Sequence, residues 1–242
     1  MDTRAFGDPL SPYTSFIRVE AGSVNMLRSI IFDMDGVLVD SMPSHADAWI
    51  AVSKEVGADV SREDIYEIEG ANHILGIQWL FEKAGRQVEP HLYEEIKRKK
   101  VEFFSANASI TPFAGIAECL SDLKRHYSLA VVTGSDRYTV NSIMEDFFPD
   151  VFDTFVCGED VHYGKPYPDP YLKAVELLGV RKDECIVVEN APMGVESAKK
   201  AGLFCVGLPT YVPPSRLSLA DLVLHDHPAL YEYFKKLILS GN

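Results

Sequence analysis

The chain has 242 residues, with 23 Lys and Arg against 36 Asp and Glu, a formal charge of −13, and 47% hydrophobic and 24% charged residues. That balance belongs to a folded globular chain of one large domain or two smaller ones, and it excludes intrinsic disorder and collagen-like repeats. The negative excess opposes nucleic acid and anionic membrane surfaces, and the longest basic run is only Lys97-Arg98-Lys99-Lys100, so no nucleic-acid partner is expected.

Residues 1–25 carry Pro9, Pro12, two Gly and several Ser and Thr without helical or strand periodicity, and read as a leader outside the fold. Met26, just before the first strand, leaves open that translation starts there. No stretch approaches the ~20 apolar residues of a membrane span and no charged-then-apolar signal pattern opens the chain, so no membrane partner and a cytoplasmic location are expected. From Ser29 onward, short β-rich apolar runs alternate with amphipathic segments, the pattern of a parallel α/β sheet. Strands are expected at Ser29–Phe32, 129–132, 154–157, 185–188 and Phe204–Gly207, with helices at 116–126, 138–148, 171–178 and 194–201. Cys119, Cys157, Cys185 and Cys205 form no CxxC pair and read as reduced, mostly buried thiols.

Between Ser41 and Pro112 the alternation stops: no strand signal appears, only helical segments at 44–55, 62–68, His73–Lys83 and 91–105. Ser61 with Asp64 forms an acidic variant of the capping box, and Ile74, Ile77, Leu80, Phe81 and Ala84 recur at helical spacing as a core-facing stripe. About 70 residues of helix inserted after the first strand imply a separate lobe, bounded by the stiff connectors Pro43 and Pro112. The expected organisation is a core of 26–41 and 110–242 interrupted by a helical domain of 42–109.

Four strand ends carry chemistry. In Phe32-Asp33-Met34-Asp35-Gly36, both carboxylates emerge at the carboxyl end of a strand, where ligands of parallel sheets bind, and Gly36 allows a sharp turn. In Val132-Thr133-Gly134-Ser135-Asp136, a hydroxyl, free amides and a helix start make a phosphate cradle, although Ser135 or Asp136 could equally serve only as a helix cap. Lys165 sits in the proline-stiffened Gly164-Lys165-Pro166 loop, where a directed ammonium can pair with a carboxylate and a phosphoryl oxygen. In Val188-Glu189-Asn190-Ala191-Pro192, two oxygen donors precede a helix and suit a hard cation, with capping as the competing reading of Asn190.

In this order the segments DMDGV, VVTGS, the GKP lysine and VVENAPMG resemble the haloacid dehalogenase (HAD) superfamily, over Ile30 to about Leu224, and the helical insert resembles its C1-type cap. The resemblance is strongest to the β-phosphoglucomutase and phosphoglycolate phosphatase-like branch. It implies a three-layer, Rossmann-like α/β core with an inserted all-helical cap. It also implies a Mg²⁺-dependent phosphohydrolase in which Asp33 forms an aspartyl-phosphate and Asp35 acts as acid and base. Thr133, Gly134 and Ser135 would bind the phosphoryl group, Lys165 would offset charge, and Asp33, the Asp35 carbonyl, Asn190 and, through water, Glu189 would hold Mg²⁺.

The cap loop departs from the mutase pattern. Where β-phosphoglucomutases place a Lys before a Gly and an Arg three residues after it, this chain has Glu69-Gly70-Ala71-Asn72-His73, which argues against gripping a second phosphate. Glu69 instead is expected to reach the metal site and restore the charge that Asn190 lacks, an arrangement resembling HAD-type pyrophosphatases. Glu69, Asn72 and His45 are therefore candidate substrate contacts. Arg98 and Lys99 fit a solvated basic face. The expected substrate is a small phosphorylated metabolite or inorganic pyrophosphate, acted on by a monomer or homodimer, with intramolecular phosphoryl transfer on a sugar phosphate as the alternative.

Overall fold

Strand β1 (Ser29–Phe32) is buried along its whole length, which suits only the middle of a sheet covered on both faces. The computed structural model, which describes residues 26–240, places it there; the leader expected over 1–25 lies outside the described residues. Along the chain follow β2 (Val39–Asp40), α1 (Met42–Val56), α2 (Arg62–Glu67), α3 (His73–Lys83), α4 (Leu92–Asn107) and β3 (Thr111–Pro112). Next come α5 (Ile116–Lys124), β4 (Ser128–Val132), α6 (Arg137–Phe147), β5 (Thr154–Val156) and α7 (Asp169–Leu178). The chain continues through β6 (Cys185–Glu189), α8 (Pro192–Lys200), β7 (Phe204–Gly207), β8 (Leu222–Val223) and α9 (His227–Ser240).

Six strands form one sheet in the order β5-β4-β1-β6-β7-β8, and every pairing in it is parallel. Alternate strand residues enter opposite layers, as the two-residue period of a strand requires. Ile30, Phe32, Leu129, Val131 and Val188 pack with α5, α6 and α9, whereas Ile31, Ala130, Val132 and Val187 pack with α7 and α8. This is the expected three-layer α/β core. The chain leaves β1 toward β4 on one side and later returns to β6 on the other, so the switch in strand order lies beside β1. Asp33, Thr133 and Glu189 all sit at the carboxyl ends of these central strands.

Helices α1 to α4 share their own apolar cluster, built on Trp49, Val52, Ile65, Ile77, Leu80 and Phe81. The Ser61–Asp64 capping box is present. Ile74, expected in the core stripe, is 51% exposed, since the buried face of α3 is made by Gly76, Ile77, Leu80 and Phe81. The absence of strand signal up to Pro112 also needs correction. The two connectors to the helical insert pair antiparallel as β2 and β3, Val39 with Pro112 and Asp40 with Thr111, so they form a ribbon rather than two independent loops.

From the sheet side, the loop after β7 reaches the insert. Tyr211 stacks on Tyr66 at 5.0 Å, its hydroxyl donates to Asp40 Oδ1 at 2.5 Å, and Arg216 pairs with Glu67. Helix α9 lies beyond the segments assigned from sequence and covers one face of the sheet with Leu230, Phe234 and Leu237. All four cysteines are free, and Cys157, Cys185 and Cys205 are buried.

Candidate active site

The chain leaves β1 still hydrogen-bonded to the sheet, with Asp33 N–H donating to the Val188 carbonyl at 2.9 Å, so the Asp33 side chain is set by the strand itself. Its Oδ1 accepts from Lys165 Nζ at 2.5 Å, and its Oδ2, also buried, has no partner. Burial raises the Asp33 carboxyl well above its ordinary value; Lys165 opposes this, while Glu189 and Asp35 add to it. Lys165 also donates to Glu189 Oε1 at 2.6 Å and to the Val132 carbonyl at 3.2 Å, which engages all three ammonium hydrogens. Burial disfavours its charge, but the two carboxylates outweigh burial and raise its pKa, so it remains an ammonium.

Asp35 faces a different set. Thr133 Oγ1 and Ser135 Oγ each donate to its Oδ2 at 3.0 Å, Ser41 Oγ donates to its Oδ1 at 2.5 Å, and His45 Nε2 lies 3.2 Å from that same atom. Burial works to raise the Asp35 carboxyl, but His45 and the hydroxyls of Ser41 and Thr133 overturn it and hold the group far below the usual carboxylate range. The Thr133 hydroxyl expected to cradle a phosphoryl group, together with that of Ser135, is thus already turned toward an anion, the protein's own. Ser41 stands at the N-cap of α1 yet makes no capping bond, since its hydroxyl is committed to Asp35. Asp136 takes the capping role on α6, accepting from Thr139 N–H, which leaves Ser135 to the site.

A second residue pair links the helical layer to the core. Asn190 Nδ2 donates to Glu69 Oε1 at 2.8 Å, while Asn190 Oδ1 and Glu69 Oε2 are buried without partners. Burial, then Asp33, raises the Glu69 carboxyl well above its ordinary value. The contact exists because Gly36 has φ +92° and no side chain: a Cβ there would lie 2.2 Å from Asn190 Nδ2 and 3.0 Å from Glu69 Oε1. Asn190 does not cap α8; that position falls to Ala191, with Pro192 in the first turn.

These atoms test the expected Mg²⁺ site. Three buried oxygens without partners, on Asp33, Glu69 and Asn190, leave a deficit of donors that a hard cation would fill. Among the described residues no three His, Cys, Asp or Glu side chains converge as a metal cluster, so the fitting donor set is mixed: a carboxylate, an amide oxygen, a main-chain carbonyl and water, as Mg²⁺ tolerates. Glu189 is not part of that deficit. Its Oε1 takes Lys165 and the Tyr171 hydroxyl, and its Oε2 takes the N–H groups of Asn190 and Ala191.

Above Asp33 and Asp35 lies a cavity of about 50 Å³, lined on the helical side by Trp49, Ile65, Glu69, His73 and Lys100. It has room for a few waters. Sequence reasoning passed over Lys100. It is buried, its Nζ donates to His45 Nδ1 at 2.9 Å, and burial lowers its pKa to about 8. The signal was present in Ile96, Lys100 and Phe104, which recur every four residues along the inner face of α4. Burial, helped by Lys100, lowers His45, so the neutral ring accepts from Lys100 and directs its Nε2–H at Asp35. His73 is lowered to about 3 by burial and then Lys100, and it supplies no positive charge to the cavity. Arg98 and Lys99 pair with Glu102 and Glu55 on the surface, as a solvated face would. Asn72 is not brought into the cavity: its side chain caps α3 by accepting from Leu75 N–H.

The family profile described as "Haloacid dehalogenase-like hydrolase" matches residues 30–208. The chain belongs to this family. Hexitol phosphatase A of Escherichia coli is 32% identical to this HAD protein over 199 residues, covering 82% of this chain and 90% of the relative. The phosphorylated carbohydrates phosphatase of Thermotoga maritima is 30% identical over 184 residues, covering 73% and 82%. Among solved structures, a candidate β-phosphoglucomutase from Bacteroides vulgatus superposes with a TM-score of 0.83 at 32% identity, covering 90% of each chain. The sheet and the inserted helices are those of the HAD fold, and the protein is an enzyme that hydrolyses phosphoric esters. No helix among the described residues is long and apolar enough to cross a membrane.

Proposed function

We propose that the protein is a Mg²⁺-dependent phosphohydrolase that transfers the phosphoryl group of a compact sugar or polyol phosphate first to Asp33 and then to water. The observation that carries the reading is the buried Lys165 bridge between Asp33 and Glu189, with Asp33 Oδ2 left without a partner. A carboxylate attacks a phosphate anion only where positive charge offsets the repulsion. Lys165 supplies one such charge at 2.5 Å from Asp33 Oδ1. A Mg²⁺ held by Asp33 Oδ2, the Asp35 carbonyl and Asn190 Oδ1 would supply the rest of the charge offset between nucleophile and phosphoryl group.

In this reading Thr133 and Ser135 exchange Asp35 for the phosphoryl oxygens, and Asp35, released from their hydroxyls, turns to the leaving oxygen. Loss of those hydrogen bonds removes part of what keeps its carboxyl ionised, so it takes up a proton from solvent, gives it to the leaving oxygen in the first step and takes one from the attacking water in the second. His45, backed by Lys100, keeps a hydrogen bond on Asp35 during that exchange. Helices α1 to α4, within 42–109, act as a cap that opens about the β2–β3 ribbon, because the 50 Å³ cavity is too small to admit a sugar phosphate while the cap is closed. The enzyme acts on a small phosphorylated metabolite in the cytoplasm.

Glu69 favours a second reading, inorganic pyrophosphate. Its carboxyl extends the metal site and faces the cavity, and with His73 neutral, Lys100 is the one cation among the cavity-lining residues. A compact, metal-carried leaving group fits this better than a bisphosphorylated sugar, and mutase activity is disfavoured for the same reason. The test is phosphate release with Mg²⁺ from hexitol phosphates, sugar monophosphates, sugar bisphosphates and pyrophosphate, beside an Asp33→Asn control. Release confined to wild type supports the phosphohydrolase, and the rank order chooses the substrate. A folded wild type that releases phosphate from none of them refutes it.

A further inference from the structure

The ammonium of Lys165 lies at the end of a flexible four-carbon chain, and such a side chain keeps one direction only if its partners are themselves fixed. Asp33 is fixed by β1, and the Val132 carbonyl by β4. Glu189 is held from behind. Its Oε2 accepts from the N–H groups of Asn190 at 2.9 Å and Ala191 at 3.1 Å, and its Oε1 accepts from Lys165 at 2.6 Å and from the Tyr171 hydroxyl at 2.7 Å. Gly194 closes the other side, where a Cβ would lie 1.8 Å from Glu189 Oε1.

Tyr171 belongs to none of the four motifs. It projects from α7, is fully buried, and places its ring 5.4 Å from Lys165 Nζ. It lines no part of the cavity above Asp33. Burial and the Glu189 carboxylate keep its phenol protonated, and hence a donor.

We propose that Tyr171 is a positioning residue for phosphoryl transfer: its hydroxyl pins Glu189, and Glu189 aims the Lys165 ammonium at Asp33. The inference rests on the phosphohydrolase reading. Without the hydroxyl, Glu189 Oε1 is left with Lys165 alone, and the ammonium follows that carboxylate away from Asp33. Alignment between Lys165 and Asp33 matters most as charge builds on the reacting oxygens, so the loss falls on kcat rather than on substrate binding.

The test is Tyr171→Phe, which keeps the ring and its contact with Lys165 and removes only the hydroxyl. On the full chain with Mg²⁺ and para-nitrophenyl phosphate, kcat is expected to fall roughly tenfold to a hundredfold, with KM within about twofold of wild type. The circular dichroism spectrum and folded fraction should match wild type. In a Glu189→Ala background the same substitution should change kcat little, because the acceptor that the hydroxyl pins is gone. A kcat unchanged in Tyr171→Phe overturns the inference, as does a loss of activity that tracks a loss of folded protein. So does an equal fall in kcat with and without Glu189. Wild type runs in parallel: its inactivity on this ester and on every substrate of the panel above would defeat the phosphohydrolase reading itself, whereas an active wild type with an equally active variant defeats only the role of Tyr171.

Discussion

Lys100 sits in the cap without a carboxylate partner, and its cost to the fold can be worked out. The residue is 5% exposed, its ammonium donates to a neutral imidazole, and it titrates at about 8 against an ordinary 10.5, with burial as the leading cause. The gap of 2.5 between those values, at about 1.4 kcal/mol per pH unit, corresponds to about 3 kcal/mol. The sign follows from proton counts. Between pH 8 and 10.5 the unfolded chain holds a proton on Lys100 that the folded chain has released, so stability rises with pH across that window. Below pH 8 both states are charged and the penalty is present in full.

Lys100→Met removes the charge at similar volume and therefore removes this pH dependence. Urea unfolding of wild type and variant at pH 7, 8, 9 and 10.5 reads the difference directly, since the other lysines, tyrosines and cysteines titrate in both proteins and cancel. Wild type should gain about 3 kcal/mol relative to Lys100→Met between pH 7 and 10.5. A flat or falling difference would show that Lys100 is not a buried ammonium and would remove the cation assigned to the cavity.

Gly36→Ala should lower stability by about 1–3 kcal/mol and abolish activity, since the methyl group must displace Asn190 and the backbone is left-handed there; thermal unfolding and phosphate release check both effects. Glu69→Gln should leave the fold intact and raise the Mg²⁺ concentration needed for half-maximal activity; an unchanged Mg²⁺ dependence would remove Glu69 from the metal site. Lys165→Met leaves Asp33 and Glu189 buried without their cation and should cost about 3–5 kcal/mol in urea unfolding, with loss of phosphate release.

Five of the six sheet strands were legible as short apolar runs, three of which lead into Asp33, Thr133 and Glu189, whereas β8, two residues long, carried no such signal. The Lys165 pairing with Asp33 was legible in part, since the prolines around it announce a directed side chain. Less legible was anything set by tertiary geometry. The β2–β3 ribbon is two residues deep and includes Pro112, too short for any periodicity. Lys100 was hidden in a basic run whose other members are solvated, and only its spacing from Ile96 and Phe104 marked the inner face. Asp35 takes its hydrogen bonds from residues 6 to 100 positions away, which no local pattern encodes. Tyr171 stood only as the first residue of the helix expected over 171–178, and its bond to Glu189 spans 18 positions that no local pattern connects.

Gly134 touches the cap through main chain alone: a Cβ at that position would lie 2.6 Å from the Gly70 carbonyl oxygen and 2.8 Å from that of Ala71. In the cap opening proposed above, this would be an end-stop between two stretches of main chain. The approach of the two elements at this point is set by the thickness of the backbone. A single added carbon there would act as a wedge between the helical insert and the sheet.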